Sequence, residues 1–192
     1  MERKFLRIIA AVAAVLTIAM LVYTMSAAMQ GRSRATASLT ASGAATVSST
    51  AAAPDLDEKL FPAQIAGMTR ASALMGSAAL DSVRQLHGKD IPVQKAYVVE
   101  YSKGPQQMTI WFSETADVQA ATQLFQIMDE KMPKTSAFKD YKTLTIGSKT
   151  FKFVTGMGSD HYYWQSGKRV LWAAISGLAD SQQVLKEIAN LY

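Results

Sequence analysis

The feature that most constrains this chain is an uncharged apolar run near its start. Ile8–Met29 holds 22 residues without a charged side chain, between the basic segments Met1–Arg7 and Gln30–Arg34. A helix rises about 1.5 Å per residue, so the run would span about 33 Å, enough for a hydrocarbon core of about 30 Å. Lipid offers the backbone no hydrogen-bond partner, which favours a helix. We therefore predict a transmembrane anchor in residues 1–34, with the lipid bilayer contacted through residues 8–29.

A cleaved signal peptide is the alternative for the same stretch. The basic start fits one, and Ser26-Ala27-Ala28 supplies the small residues that a signal peptidase needs. We favour the uncleaved anchor, because the uncharged run continues past this site to spanning length. Three basic residues and one acid precede the run, and this bias keeps the N-terminus in the cytoplasm. Either way, the sequence predicts that the rest of the chain is exported, and our favoured localisation is the cell membrane, single-pass.

The basic pI of 9.4 does not indicate a nucleic-acid partner. Five of the 20 Lys and Arg residues lie at or before Arg34, together with one of the 15 acids. The chain from Asp55 onward keeps 15 basic and 14 acidic residues, so it is close to neutral. Its lysines are scattered, without a basic run to follow a phosphate backbone. We predict no nucleic-acid binding.

Between the anchor and the remaining chain lies a segment of low complexity. Ala35–Pro54 is almost entirely Ala, Ser and Thr, without an aromatic or charged residue. Such a segment cannot bury enough apolar surface to offset the entropy of ordering it. We predict a flexible linker over residues 35–54. As a coil it would hold the following domain about 25 Å from the membrane, and at full extension about 70 Å.

Residues 55–192 have the length of one extracytoplasmic domain, and the absence of cysteine excludes a disulfide scaffold. Apolar periodicity, caps and turn residues identify alternating helices and hairpins. The segment Leu60–Met68, broken by Pro62 and Gly67, is predicted as an apolar lead-in at the edge of the core. The predicted helices are Ser77–His87, Ala116–Met132 and Ser181–Leu191, and the predicted strands are Ala96–Tyr101, Met108–Ser113, Leu144–Ile146, Phe151–Val154, His161–Trp164 and Arg169–Ile175.

This order of elements predicts an α+β domain. Strands joined by hairpins form an antiparallel sheet, and helices with one apolar face each cover it. We expect about three helices on one side of that sheet. Thr115 or Ser113 is predicted to cap the N-terminus of the second helix. Asp180 is predicted to cap the third helix, with Gln183 at the capping-box position.

The stretch with the most chemically versatile side chains is Gly156–Lys168. Strand alternation places His161 and Tyr163 on one face and Tyr162 and Trp164 on the other. One interpretation is an aromatic binding surface in which Asp160 orients His161. The other is a strand with a buried aromatic face, because aromatic residues favour strands. The candidate binding residues are Asp160, His161, Tyr163 and Trp164.

Catalytic, metal and cofactor sites have no recognisable pattern here. His87 and His161 are the only histidines, and a zinc site would need both with a carboxylate such as Asp90 or Asp160. The pair Gly156-x-Gly158 lacks the third glycine and the following helix of a phosphate loop. We predict no catalytic residue, no metal and no cofactor.

Three functions are compatible with this sequence. The first is a membrane-anchored binding or assembly module, such as an accessory subunit of an envelope complex or a ligand sensor, with a membrane-protein partner. The second is an exported small hydrolase that uses His161 with Asp160. The third is a structural subunit that oligomerises through its apolar helix, where small alanines allow close approach. We favour the first, because a tether is present without a catalytic constellation.

Overall fold

The computed structural model describes residues 56–87 and 91–192, apart from the side chains of Leu86 and His87. The predicted anchor and linker, residues 1–54, lie outside the described residues. Among the described helices, none is long and apolar enough to cross a bilayer.

The described chain folds into an antiparallel sheet of eight strands with three α-helices, which confirms the predicted α+β class. The strand order across the sheet is β1-β2-β3-β4-β8-β7-β6-β5. The strands are β1 (Gln64–Ile65), β2 (Met68–Leu74), β3 (Val93–Lys103), β4 (Gln106–Thr115), β5 (Lys139–Ile146), β6 (Lys149–Gly156), β7 (Ser159–Ser166) and β8 (Arg169–Ser176). The helices are α1 (Gly76–His87), α2 (Val118–Lys131) and α3 (Gln182–Leu191), with a short 3-10 turn at Met132–Lys134 after α2.

The helices lie on both faces of the sheet, so the expectation that they cover one side is wrong. On one face, α1 and α2 pack their buried Val83 and Leu124 against Ala96 and Val170 of the sheet. On the other face, Ile188 of α3 joins a larger cluster in the interior. Each helix buries one stripe, and the strands alternate, so a sheet with apolar residues on both faces needs a cover on each.

Alternation along β4 shows how the sequence produces this two-sided core. Met108, Ile110 and Phe112 lie on the face of α3 and are fully buried, as the spacing predicts. Trp111 lies between Ile110 and Phe112 in the strand and therefore on the opposite face, which α1 and α2 cover. Cross-strand pairing places Trp111 opposite Trp172 of β8.

The two strands at the start of the domain, β1 and β2, were not predicted from the sequence. The segment predicted as a lead-in contains β1 and the first residue of β2, and its apolar Phe61, Ile65 and Met68 are fully buried. They therefore belong to the interior and not to the edge of the core. The rest of β2, Thr69–Leu74, alternates poorly and is rich in small residues, so it has no strand signature.

The helix caps differ in part from expectation. Asp117, not Thr115 or Ser113, caps α2, because its carboxylate accepts a hydrogen bond from the Ala120 N–H at 2.8 Å. For α3 the N-cap residue is Ser181 and not Asp180, although the Asp180 carboxylate accepts a hydrogen bond from the Gln182 N–H at 2.8 Å. The neighbouring Gln183 side chain instead donates to Glu187 one turn later. A carboxylate next to a helix N-terminus satisfies donors that the helix itself leaves unpaired.

Candidate functional site

Strand β7 carries the candidate binding residues identified from the sequence, and the fold buries most of them. Its neighbours β6 and β8 pair with it along both sides. Tyr163 and Trp164 are fully buried, and His161 is 5% exposed. Tyr163 lies beneath the α2 side of the sheet and Trp164 beneath the α3 side. The fold therefore uses these residues as packing on both faces, and a ligand-binding role for them stays a prediction.

His161 is held by hydrogen bonds at both ring nitrogens. Trp172 Nε1 lies 3.0 Å from His161 Nδ1, and the Gly156 carbonyl oxygen lies 3.0 Å from His161 Nε2. Because an indole N–H can only donate, Nδ1 accepts, and Nε2 carries the proton that it donates to Gly156. The ring also meets Phe138 edge-on at 5.0 Å between centroids. With both nitrogens engaged, His161 has no free nitrogen with which to activate a nucleophile.

Burial lowers the pKa of His161, and the hydrogen bond to the Gly156 carbonyl and the charge of Asp160 only partly oppose it. The hydrogen bonds of the His161 ring also disfavour its protonation. A proton added at Nδ1 would face the indole N–H of Trp172, so one hydrogen bond would be lost. The neutral ring is therefore the form that fits the fold.

We expect acid to destabilise this domain through His161. The unfolded histidine takes up a proton near pH 6.5 while the folded one still resists it, so stability falls as pH decreases from about 6.5 to the lower folded pKa. The slope in that window approaches about 1.4 kcal/mol per pH unit for one proton. Urea unfolding from pH 7.5 to 5.0 measures it. The test compares His161→Gln with its parent in a His87→Gln background, where His161 is the sole histidine, and an unchanged slope contradicts the account.

The interpretation in which Asp160 orients His161 does not fit the geometry, because Gly156 and Trp172 are the partners of the two His161 ring nitrogens. Alternation places the Asp160 side chain on the opposite face of β7, where it lies 3.5 Å from the Tyr162 hydroxyl. Burial raises the pKa of Tyr162, and Ser181 opposes this rise while Asp160 and Asp180 add to it. Tyr162 therefore stays protonated and donates its hydroxyl proton to Asp160.

A polar network without any motif in the sequence lies on the α2 face. Asp129 Oδ1 accepts hydrogen bonds from the hydroxyls of Tyr163 and Tyr141, both at 2.9 Å. Lys152 Nζ lies 3.1 Å from Asp129 Oδ2 and donates to the Tyr141 hydroxyl at 3.0 Å. Hydrogen bonds to Tyr141 and Asp129 raise the pKa of Lys152 although burial lowers it, and burial together with Asp129 raises the pKa of Tyr163. The network ties α2 to three strands.

Strand register is the signal that could have revealed part of this network. Lys152 of β6 lies directly opposite Tyr163 of β7. A tight turn at Gly156–Gly158, joining the two predicted strands on either side of it, would have placed these residues opposite each other. Asp129 could not be found in this way, because only the packing of α2 brings it to the sheet.

Removing the shared acceptor of this network should be costly. Asp129→Ala leaves the buried Tyr163 hydroxyl without its acceptor and Lys152 without its counter-ion. We expect a loss of about 1.5–3 kcal/mol in the free energy of unfolding. The control is Glu130→Ala, the exposed next residue, which should change stability by less than about 0.5 kcal/mol. Urea unfolding of the full chain in a mild detergent measures both, and equal effects of the two substitutions would refute this role of Asp129.

Glu114 joins the centre of the sheet to the β7–β8 turn. Its carboxylate lies 3.1 Å from Lys168 Nζ and 3.4 Å from Arg169 Nε. Burial alone would raise the pKa of Glu114, but Lys168, Arg169 and Lys95 together hold it below its ordinary value. Each of these cations is substantially more exposed than the carboxylate, so the arrangement satisfies a buried charge and forms no open binding site.

A concavity of about 290 Å³ opens to solvent beside the β6–β7 turn. Among the described residues that line it, Asp160 is the one with an ionisable side chain, which keeps Asp160 as a ligand-binding candidate. Within the described part of the chain, no group of three His, Asp or Glu side chains is placed to hold a metal ion. The lining residues are Thr155, Gly156, Gly158, Ser159, Asp160, Ile175, Ser176, Gly177 and Leu178.

The two edges of the sheet differ in chemistry. The edge strand β5 exposes Lys139 and Lys142, and Asp140 has a positive φ of 57° at a register irregularity. Lysines and irregular backbone are common protections of an edge against strand addition. At the other edge, β1 pairs with only Met68 and Thr69 of β2. Beyond Arg70, the residues Ala71–Leu74 are all exposed and uncharged, and we call them the β2 edge segment.

No protein-family model matches this sequence, and no curated protein matches it. Among solved structures, the chain has a weak similarity to the extracellular domain of PknH from Mycobacterium tuberculosis. The two share 10% sequence identity and a TM-score of 0.38, over 65% of this chain and 79% of that one. A likeness at this level supports no statement about what this chain binds or does.

Proposed function

We propose that this protein is a single-pass membrane protein whose domain outside the cytoplasm serves binding and assembly. The observation that carries the proposal is the β2 edge segment, a stretch of strand that is exposed, uncharged and without lysine. A strand edge of this kind offers backbone N–H and C=O groups to another strand. The apolar run Ile8–Met29 and the linker Ala35–Pro54 support the tether.

The residues of β7 have a supporting role in this proposal. His161, Tyr163 and Trp164 fill the two faces of the sheet and keep it rigid, so that its edge is presented in a fixed geometry. A binding surface on a rigid element loses less entropy when a partner docks. Asp160, at the open concavity, remains the candidate of β7 for contact with a small ligand.

The tether is tested by labelling single introduced cysteines. Because the chain contains no cysteine of its own, each introduced one is the sole site of reaction. Single variants Glu2→Cys and Ser38→Cys are expressed in bacterial cells and treated with a membrane-impermeant maleimide. We expect Ser38→Cys to react in intact cells and Glu2→Cys to react only after lysis. The opposite pattern, or release of the domain from the membrane, would contradict the tether.

Assembly is tested by cross-linking the full chain in those membranes before it is extracted in mild detergent. Native gel electrophoresis with in-membrane cross-linking should show species larger than one chain in its micelle. A strictly single-chain species under all cross-linking conditions would contradict assembly and leave the tether unaffected.

A further inference from the structure

We propose that the β2 edge segment pairs antiparallel with the same segment of a second copy of this chain, so that the two sheets continue into each other across a two-fold axis. The inference rests on the proposed assembly function and names its partner and its surface. It is carried by the position of the segment, its side chains and the point at which the chain enters the domain.

The position of the segment leaves its outer side open. The Arg70 N–H donates to the Ala63 carbonyl at 2.9 Å, which is the last hydrogen bond between β2 and the β1 region among the residues described. Ser72, Ala73 and Leu74 then pair with β3 on the inner side alone, within the same described part of the chain. Leu74 is 41% exposed, a large apolar side chain beside an unpaired strand edge. Both edges of the sheet contain a register irregularity, between Arg70 and Ser72 in β2 and between Lys139 and Lys142 in β5, so the two edges differ in their lysines and not in this respect.

The side chains permit pairing of the segment with itself. In a two-fold antiparallel pair each residue lies opposite a residue of the same short segment. A charge there would lie within three residues of the same charge on the neighbouring strand of the copy, and like charges this close destabilise a sheet. Ala71, Ser72, Ala73 and Leu74 carry no charge and are mostly small. The β5 edge, with Lys139 and Lys142, would instead place lysines opposite lysines.

The entry point of the chain fits a second copy that is anchored in the same membrane. The described chain begins at Leu56, and Glu58 lies 2.6 Å from Arg70 at the start of the open edge. In the proposed pair the two Arg70 residues would lie about 17 Å apart along the strands, at about 3.4 Å per residue. This is within the span of two linkers of about 25 Å, so both anchors fit in one membrane.

A four-residue pairing buries little surface and is weak by itself. Two chains anchored in one membrane raise the local concentration of each for the other, which can reach about millimolar. We therefore expect the pair in membranes and not in dilute detergent. The experiment uses the full chain reconstituted in lipid vesicles.

The test compares the two sheet edges with single cysteines in this cysteine-free chain. Ala73→Cys marks the β2 edge, and Thr145→Cys marks an exposed position on β5. Any register that pairs the β2 edge segment with itself brings the two Ala73 positions within about 15 Å, so a bismaleimide of that reach should connect them. We expect Ala73→Cys to give at least tenfold more cross-linked dimer than Thr145→Cys. Equal yields from the two positions would overturn the proposal.

A second variant separates the edge from the anchor helix as the cause of dimerisation. Ala71→Lys, combined with Ala73→Cys, puts a lysine on the pairing edge of each copy, the two about 10 Å apart along the strands, and should reduce the cross-link yield at least tenfold. The matched control is Thr143→Lys on β5, which should leave it unchanged. An unreduced yield with Ala71→Lys overturns the proposal. If the full chain still forms cross-linked species while Ala73→Cys gives no more dimer than Thr145→Cys, the proposed assembly is supported and pairing through the β2 edge segment is contradicted. If only single chains are found, both proposals are contradicted.

Discussion

Replacing Trp164 with alanine should lower the free energy of unfolding by about 3–5 kcal/mol, the range for large aromatic residues in a core. Trp164 is fully buried on the α3 face, with its ring centroid 5.0 Å from that of Phe151 and 6.1 Å from that of Tyr192. The substitution removes these contacts and leaves a cavity that the surrounding strands cannot close. Urea unfolding, followed by fluorescence of the other two tryptophans, measures the loss.

Two further variants make this result specific to packing. Trp164 Nε1 has no hydrogen-bond partner in the described structure, so Trp164→Phe removes a buried unsatisfied donor along with part of the ring. We expect Trp164→Phe to cost about 1 kcal/mol, much less than alanine. Ile127→Ala, on the exposed side of α2, should change stability by less than about 0.5 kcal/mol. A Trp164→Ala cost as small as that of Ile127→Ala would show that this residue is not core.

Gly177→Ala should cost about 2–5 kcal/mol, because two independent penalties fall on one methyl group. Gly177 has a φ of 72°, which costs an L-residue about 1–2 kcal/mol. Its added Cβ would also lie 2.3 Å from the Pro105 carbonyl oxygen, so the β3–β4 turn would have to move, at about 1–3 kcal/mol for overpacking. The same urea unfolding experiment measures the change.

Gly158→Ala is the matched control for Gly177→Ala. Gly158 has a nearly equal φ of 77°, but a Cβ there meets no atom within 4 Å. It should therefore carry only the backbone penalty of about 1–2 kcal/mol. The difference between the two variants measures the steric contact with Pro105. Equal costs would mean that the β3–β4 turn yields freely and that the contact is not a constraint.

Local patterns explain why much of this fold could be predicted. The three described helices and the six strands from β3 to β8 correspond to segments with clear periodicity, turn residues between strands, and a polar residue near a helix start. Met108, Ile110 and Phe112 share a face because alternation is a property of the strand itself. The missed strand β2 has small residues such as Ala71 and Ala73 in place of this pattern, and it depends on pairing with β3.

The site was harder to predict, because its character depends on contacts between distant parts of the chain. Alternation correctly separates His161 from Tyr162, but it does not say what covers each face. Phe138 and Trp172 reach His161 only after β7 is placed between β6 and β8. The side chains that looked most suited to binding are therefore mainly core. The β2 edge segment has no motif and is visible only once the strand order is known.

The central claim is that this chain assembles through the β2 edge segment, and a distance measurement tests it most directly. Spin labels at residue 73 or at residue 145, in the full chain in lipid vesicles, report the separation between copies. The account predicts that the two residues 73 lie within about 15 Å, while the two residues 145 lie about 60 Å apart, at about 4.8 Å per strand. A short distance at residue 145, or no short distance at residue 73, would contradict it.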